Sequence, residues 1–107
     1  MLRRYETLLL LSPELSSEEK QGVVEKVSDI IKRDGGEVVL VDDWGMKELA
    51  YPVRKQTRGY YVRLEFGLPG KYVSELERNL RIMEEVFRFV TVKLADSFES
   101  KEEKNEQ

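Results

Sequence analysis

Residues 59–68 alternate between apolar and polar side chains with a period of two residues. The apolar positions are Tyr60, Val62, Leu64 and Phe66, and the positions between them are Tyr61, Arg63 and Glu65. Because successive side chains of a strand point to opposite faces of the sheet, this pattern predicts one buried face and one face in water. The chain is therefore expected to build a sheet that is covered on one side.

Three further strands and two helices are predicted around this segment. The strands cover residues 4–11, 37–53 and 86–94, and the helices begin after Ser16 and after Pro69. The order is β-α-β-β-α-β, and right-handed crossovers place both helices on one face of a four-stranded antiparallel sheet. We predict an α+β fold whose second sheet face has no covering element in the chain.

Local signals predict the ends of the first helix and the shape of the second strand. Ser16 and Glu19 form a capping box, and Gly35-Gly36 ends the helix because glycine accepts left-handed cap geometry. Gly45 predicts a bulge or a turn within the extended region. Pro52 cannot donate a ladder hydrogen bond, so it is expected at a sheet edge or a strand end.

A short basic loop lies between two aromatic strand segments in residues 49–61. Its cations are Arg54, Lys55 and Arg58, and its aromatic neighbours are Tyr51, Tyr60 and Tyr61. Cations neutralise phosphate and aromatic rings stack on bases or sugars, so the segment is suited to nucleic-acid binding. An ordinary hairpin with a solvated loop explains the same residues, and for the loop alone this explanation is preferred.

The charge of the chain is unevenly distributed although the formal total is −3. Residues 46–95 hold ten cations and six acids, residues 1–45 hold six cations and ten acids, and residues 96–107 hold two cations and five acids. Attraction to phosphate depends on the local field, so the acidic total does not exclude RNA. The neutral body argues against tight binding of naked RNA by this chain alone, and a partner protein is expected to supply further positive charge.

Several classes of function are excluded by composition. The chain has no cysteine and no histidine, which excludes thiol catalysis, disulfides, Cys/His zinc sites and histidine acid–base chemistry. Adjacent carboxylates such as Asp42 and Asp43 point apart on a strand, and no glycine-rich phosphate loop is present. We predict no catalytic residues, no metal, no cofactor and no small-molecule substrate. No apolar run approaches the roughly 20 residues that span a bilayer, so no membrane contact and a cytoplasmic location are expected.

The predicted third strand is similar to the RNA-recognition motif only at its start. That family begins this strand with a basic residue, a glycine and alternating aromatics, as Arg58, Gly59 and Tyr60 do. Tyr61 then stands where the family has a small residue, and Val62 where it has an aromatic one. An aromatic platform for stacking bases is therefore not expected on this sheet.

Four segments together closely resemble bacterial small-subunit ribosomal protein six. They are residues 1–6, the sequence Leu49-Ala50-Tyr51-Pro52-Val53, the Gly59-Tyr60-Tyr61 start of a strand, and Leu80-Arg81-Ile82 followed by residues 86–93. Their order and spacing make the resemblance specific over residues 1 to about 94. It implies the ferredoxin-like fold and a structural role in the small ribosomal subunit. The implied partners are the central domain of 16S ribosomal RNA and small-subunit protein eighteen.

The resemblance also implies which residues bind RNA. They are Arg3 and Arg4 of the first strand, Arg81 of the leucine-arginine-isoleucine motif, Arg88 and Lys93 of the last strand, and Tyr51 and Lys55, which match further family positions. The residues alone allow one surface that combines Arg3 or Arg4 with Arg81 and Arg88, and they equally allow scattered solubilising charges.

We predict one RNA-binding domain in residues 1–95 and a charged, disordered tail in residues 96–107. The acids of the tail cannot bind phosphate, so its expected contact is a basic partner protein. Three alternatives remain open: a stand-alone module like the RNA-recognition motif, a small ferredoxin-like enzyme similar to acylphosphatase, and a homo-oligomer that buries its open sheet face.

Overall fold

The computed structural model describes residues 1–98 as four strands and two helices around one sheet. The elements are β1 (Leu2–Leu11), α1 (Ser17–Arg33), β2 (Glu37–Val53), β3 (Gln56–Pro69), a short 3-10 turn (Gly70–Tyr72), α2 (Val73–Ile82) and β4 (Val86–Ala95). The strand order is β2-β3-β1-β4, and all neighbouring strands are antiparallel. The predicted β-α-β-β-α-β fold is therefore confirmed. Of the predicted tail, residues 99–107 lie outside the described part.

The core lies between the helices and one face of the two central strands. Val62, Leu64 and Phe66 of β3 are at most 1% exposed, which confirms the buried side of the alternation. They pack with alternate residues of β1 and with the apolar stripes of the two helices. The stripes consist of Val23, Val27 and Ile31 on α1 and Leu76 and Leu80 on α2.

The predicted ends of α1 are confirmed in atomic detail. The Ser16 hydroxyl accepts a hydrogen bond from the Glu19 amide at 3.1 Å, and the Glu19 carboxylate accepts one from the Ser16 amide at 2.9 Å. These bonds hold the pKa of the Glu19 carboxyl below its ordinary value. Gly35 has φ +85°, and the Gly36 amide donates to the Ile31 carbonyl at 2.8 Å. Within residues 1–98, neither helix is long and apolar enough to cross a membrane.

Strand β2 lies at one edge of the sheet and is irregular. Its pairing with β3 shifts register between Asp43 and Gly45, and Gly45 has φ +77°, as the predicted bulge requires. The Asp43 carboxylate accepts a hydrogen bond from the Gly45 amide at 2.8 Å. Pro52 is the penultimate residue of this edge strand, in agreement with its predicted position.

The expectation that nothing covers the second sheet face is wrong at two places. Leu10 faces away from the helices, yet it is 3% exposed because the end of the β2–β3 hairpin lies over it. The register shifts of β2 allow this, since bulges bend a strand and increase its twist. Further along the same face, the ring of Phe98 lies against Gly67, where a Cβ atom would come within 2.5 Å of it. The middle of the face stays open.

The ion pair of Lys20 and Asp43 ties α1 to β2 at 2.8 Å and gives a pH-dependent contribution to stability. The Lys20 hydrogen bond lowers the pKa of the Asp43 carboxyl from 3.8. A lowered folded-state pKa stabilises the fold above 3.8, and the contribution is lost as the pH falls through 3.8 to the folded value. We expect Asp43→Asn to lower the free energy of unfolding by about 0.5 kcal/mol at neutral pH, and the deficit to vanish in acid.

Urea unfolding of both proteins between pH 7 and pH 2 measures this difference. Asp29→Asn is the matched control, because Asp29 is exposed on α1 and has no ion pair within residues 1–98. A deficit of the Asp43 variant that stayed constant with pH would assign the effect to the amide substitution rather than to the charge.

Candidate nucleic-acid interface

The closest association among the predicted RNA-binding residues is that of Tyr51 and Arg88. The Arg88 guanidinium donates a hydrogen bond to the Tyr51 hydroxyl and lies 5.2 Å from the centre of its ring. Tyr51 belongs to the end of β2 and Arg88 to β4, so the two come from opposite edges of the sheet. Both residues are exposed, and Tyr51 is 57% accessible.

The hairpin end reaches β4 because it packs on apolar side chains of the sheet. A partly open cavity of about 240 Å³ lies beneath it. Its walls include Leu8 and Leu10 of β1, Leu49 and Val53 of the hairpin, and Val90 of β4. Burial of Leu10 and Val53 beneath the hairpin end helps to hold Tyr51 over the sheet, beside Arg88.

The turn at the tip of this hairpin carries two cations. Arg54 and Lys55 have φ +49° and +64°, and both side chains are exposed. The Arg54 guanidinium lies 4.8 Å from the ring centre of Phe87 and donates to the Glu84 carbonyl at 3.4 Å. Lys55, a predicted RNA-binding residue, forms no ion pair within residues 1–98.

Arg81 approaches β4 from the helix layer. It lies in the last turn of α2, where a cation is favoured by the helix dipole. Its guanidinium is 5.6 Å from the ring centre of Phe89, and the side chain is exposed. Arg81 therefore borders β4 on the helix side, whereas Arg88 borders it on the opposite side.

Arg3 and Lys93 lie together near the other end of β4. The Lys93 ammonium is 2.6 Å from the Asp96 carboxylate. This hydrogen bond, and to a smaller degree the charge of Arg3, holds the pKa of the Asp96 carboxyl below its ordinary value. Both cations face the helix side, since Lys93 pairs with Tyr5 and Arg3 precedes Tyr5 by two residues.

Arg4 stands apart from the other predicted residues. It faces the open side of the sheet, forms an ion pair with Glu65, and lies 5.2 Å from the ring centre of Phe98. Its side chain is 19% exposed. The guanidinium is therefore already engaged in the free chain.

The structure thus arranges the predicted residues along an edge rather than in one cluster. We use the name basic edge for Lys55, Arg81, Arg88, Lys93 and Arg3 together with Tyr51. Lys93 follows Arg88 by five positions, which corresponds to about 17 Å along an extended strand. Arg54 also lies at this edge although it was not among the predicted residues. Its membership of the basic loop was visible in the sequence, but its contact with Phe87 was not.

The open face carries apolar side chains on and beside β4, next to the ion pairs of Arg63 with Glu6 and Glu65. We use the name apolar stripe for Leu8, Trp44, Val90 and Val92. Val90 and Val92 of β4 are 58% and 46% exposed and lie opposite Leu8 and Glu6 of β1. Trp44 and the same two valines line one shallow depression with Leu8, and Glu6 and Arg63 complete its wall. The sequence did not identify this stripe because both alternating sets of β4 contain apolar residues.

A base-stacking platform of the RNA-recognition type is absent from the described part of the sheet. Phe66 is fully buried under the helices, and Tyr60 packs against the core beneath Lys20, whose ammonium is 4.4 Å from the ring centre. On the open face, Tyr61 has Trp44 as its aromatic neighbour at 6.3 Å, and Arg63 occupies the next position of β3. The prediction that Tyr60, Leu64 and Phe66 belong to the core is confirmed.

Comparisons with known proteins agree on one family. The family model described as ribosomal protein S6 matches residues 4–93. The small ribosomal subunit protein bS6 of Desulfovibrio desulfuricans is 60% identical over 95 residues, which cover 89% of this chain and 93% of that protein. The bS6 protein of Nitratidesulfovibrio vulgaris strain DP4 is 54% identical over 98 residues, with 92% and 97% covered.

A solved structure shows the same fold. The crystal structure of 30S ribosomal protein S6 from Thermotoga maritima superposes with a TM-score of 0.82 at 31% sequence identity, covering 87% of this chain and 88% of that one. The resemblance inferred from the sequence motifs is thereby confirmed. The chain belongs to the ribosomal protein S6 family.

Proposed function

We propose that this chain is a structural constituent of the small ribosomal subunit. In this proposal it binds the central domain of 16S ribosomal RNA together with small-subunit protein eighteen, in the ribosomes of the cytoplasm. Membership of the S6 family supports the ribosomal role, since the curated relatives carry the name of a small-subunit protein. This role requires affinity for the RNA and a surface that fits its shape, and it involves no catalytic step.

The observation that carries the RNA part of the proposal is the pairing of Arg88 with Tyr51. A guanidinium that rests near an aromatic ring is held in place and keeps several N–H groups for phosphate oxygens. The exposed ring of Tyr51 adds a flat surface for a sugar or a base. Arg81 and Lys55 extend the positive charge to either side of this pair.

The basic edge is suited to contacts with the RNA backbone. Its polar groups are guanidinium and ammonium donors, which bind phosphate without distinguishing bases. The described part of the sheet has no base-stacking platform, which is the main means by which proteins recognise the sequence of single-stranded RNA. Recognition is therefore expected to depend on the shape of the folded RNA.

The apolar stripe supports the protein partner in the proposal. Exposed apolar side chains that lie together on a sheet face mark protein interfaces more often than isolated ones do. The stripe and the basic edge share β4, so a protein on the open face and RNA along the edge would meet at this strand. Such a geometry gives cooperative binding, because each ligand contributes contacts to the other.

Replacing Arg81 and Arg88 together by alanine tests the role of these two cations in RNA binding. We expect the affinity of the complex with protein eighteen for a 16S central-domain fragment to fall by about 100-fold or more, since two charge-assisted hydrogen bonds are lost and each is worth roughly 1.5–3 kcal/mol. The slope of log K against log salt concentration should decrease by about two, because each arginine neutralises one phosphate.

The double variant Arg33→Ala, Arg78→Ala is the charge-matched control. These two arginines form ion pairs with Asp34 and Glu75 on the helix layer. Filter binding at several salt concentrations measures all three proteins. Equal affinity of the wild type and the Arg81/Arg88 variant would remove both residues from the RNA site.

Val92→Gln tests the protein interface on the open face. Loss of an apolar side chain from a buried interface should weaken binding of protein eighteen roughly tenfold or more, because burial of a valine is worth about 1.5–3 kcal/mol. Val41→Gln is the matched control, since Val41 is also 46% exposed but faces the helix side of the other edge strand. Calorimetric titration gives both affinities, and an equal loss for the two variants would place the partner elsewhere.

A further inference from the structure

The tip of the β2–β3 hairpin has an unfavourable turn sequence. Val53 pairs with Gln56, so Arg54 and Lys55 form a two-residue loop in which both residues have positive φ. Such loops favour Asn-Gly or Asp-Gly, because residues with long side chains adopt the left-handed region at a cost. The turn itself therefore provides little to hold the tip where it lies, and contacts beyond the turn must contribute.

Arg54 makes such contacts with the opposite edge of the sheet. Its guanidinium lies over the ring of Phe87, 4.8 Å from the ring centre, and donates to the Glu84 carbonyl. Leu10 pairs with Arg88 and Leu11 with Val86, so Phe87 is the extra residue of a bulge in β4. The bulge frees Phe87 from the regular alternation and makes its half-buried ring available to the arginine.

The Arg54 contact and the Tyr51–Arg88 contact join the same two segments. Arg54 follows Tyr51 by three positions on the hairpin, and Phe87 is adjacent to Arg88 on β4. Fixing the tip on Phe87 therefore fixes the ring of Tyr51 relative to Arg88. Pre-ordering of a binding site improves affinity because less freedom is lost when the ligand binds.

We propose that Arg54 is a positioning residue. Its contacts with Phe87 and the Glu84 carbonyl, here called the latch, hold the hairpin tip on β4 and so pre-order the Tyr51–Arg88 pair for RNA. The inference rests on the proposed function for its consequence in RNA binding. The latch itself is a property of the free protein. It assigns Arg54 a role different from that of Lys55, although the two cations are adjacent in one turn.

Arg54→Asn separates the latch from the turn. Asparagine accepts positive φ more readily than arginine, so the turn is preserved while the stacking and the long hydrogen bond are removed. We expect amide hydrogen exchange at Val53 and Gln56, which pair across the turn, to accelerate about threefold to tenfold in the free protein relative to exchange in β1 and β3. Phe87→Leu should give the same acceleration without a change in charge.

Lys55→Asn is the matched contrast, with the same substitution and the same loss of charge one residue away. It should leave exchange in the hairpin unchanged and lower the salt slope of RNA binding by about one. Arg54→Asn should weaken RNA binding of the complex about threefold to tenfold and leave that slope unchanged. The slope distinguishes a residue that positions the site from one that binds phosphate.

The outcomes separate the two proposals. Unchanged exchange in Arg54→Asn would overturn the latch, and so would a lower salt slope for this variant without faster exchange. A wild-type protein that fails to bind the RNA with its partner would contradict the proposed function. The exchange measurement on free protein would still decide whether Arg54 holds the tip.

Discussion

The packing of both helices on one face of β1 and β3 is the constraint on which the rest of the molecule depends. Val62, Leu64, Phe66 and Leu9 are essentially inaccessible on that face, so the middle of the central strands has no exposed side chain there. The sheet then offers other molecules its opposite face, its edges and its strand ends. Both proposed surfaces adjoin β4, the edge strand next to β1.

The end of the β2–β3 hairpin crosses the second face of the sheet, and this places its loop beside the edge strand β4. Tyr51 and Arg88 belong to the two strands at opposite edges of the sheet, yet they are hydrogen-bonded to each other. The crossing buries Leu10 and Val53, and this apolar burial compensates for a turn with two strained residues. The candidate site is therefore a product of tertiary packing rather than of a local motif.

The sequence was sufficient for those features that depend on neighbouring residues. Alternation in β3, the Ser16–Glu19 capping box and the Gly45 bulge are local, and all three were predicted. The position of the hairpin tip was not predictable, because it depends on contacts between residues 30 and 37 positions apart. The orientation of β4 was left open for a related reason: Phe87 and Phe89 compete with Val90 and Val92 for the core, and a bulge at Phe87 decides between them.

The outer edge of β4 has a consequence for how copies of this protein behave towards one another. An edge strand of ten residues with no proline or glycine is a template for self-pairing and aggregation. Arg88 points to the open face of this strand and Lys93 to the helix face, so the edge carries a cation on each side. Charged side chains on an edge strand, lysine especially, oppose pairing with another strand. Arg88 and Lys93, which we assign to phosphate binding, would thus also oppose polymerisation of the isolated protein through this edge.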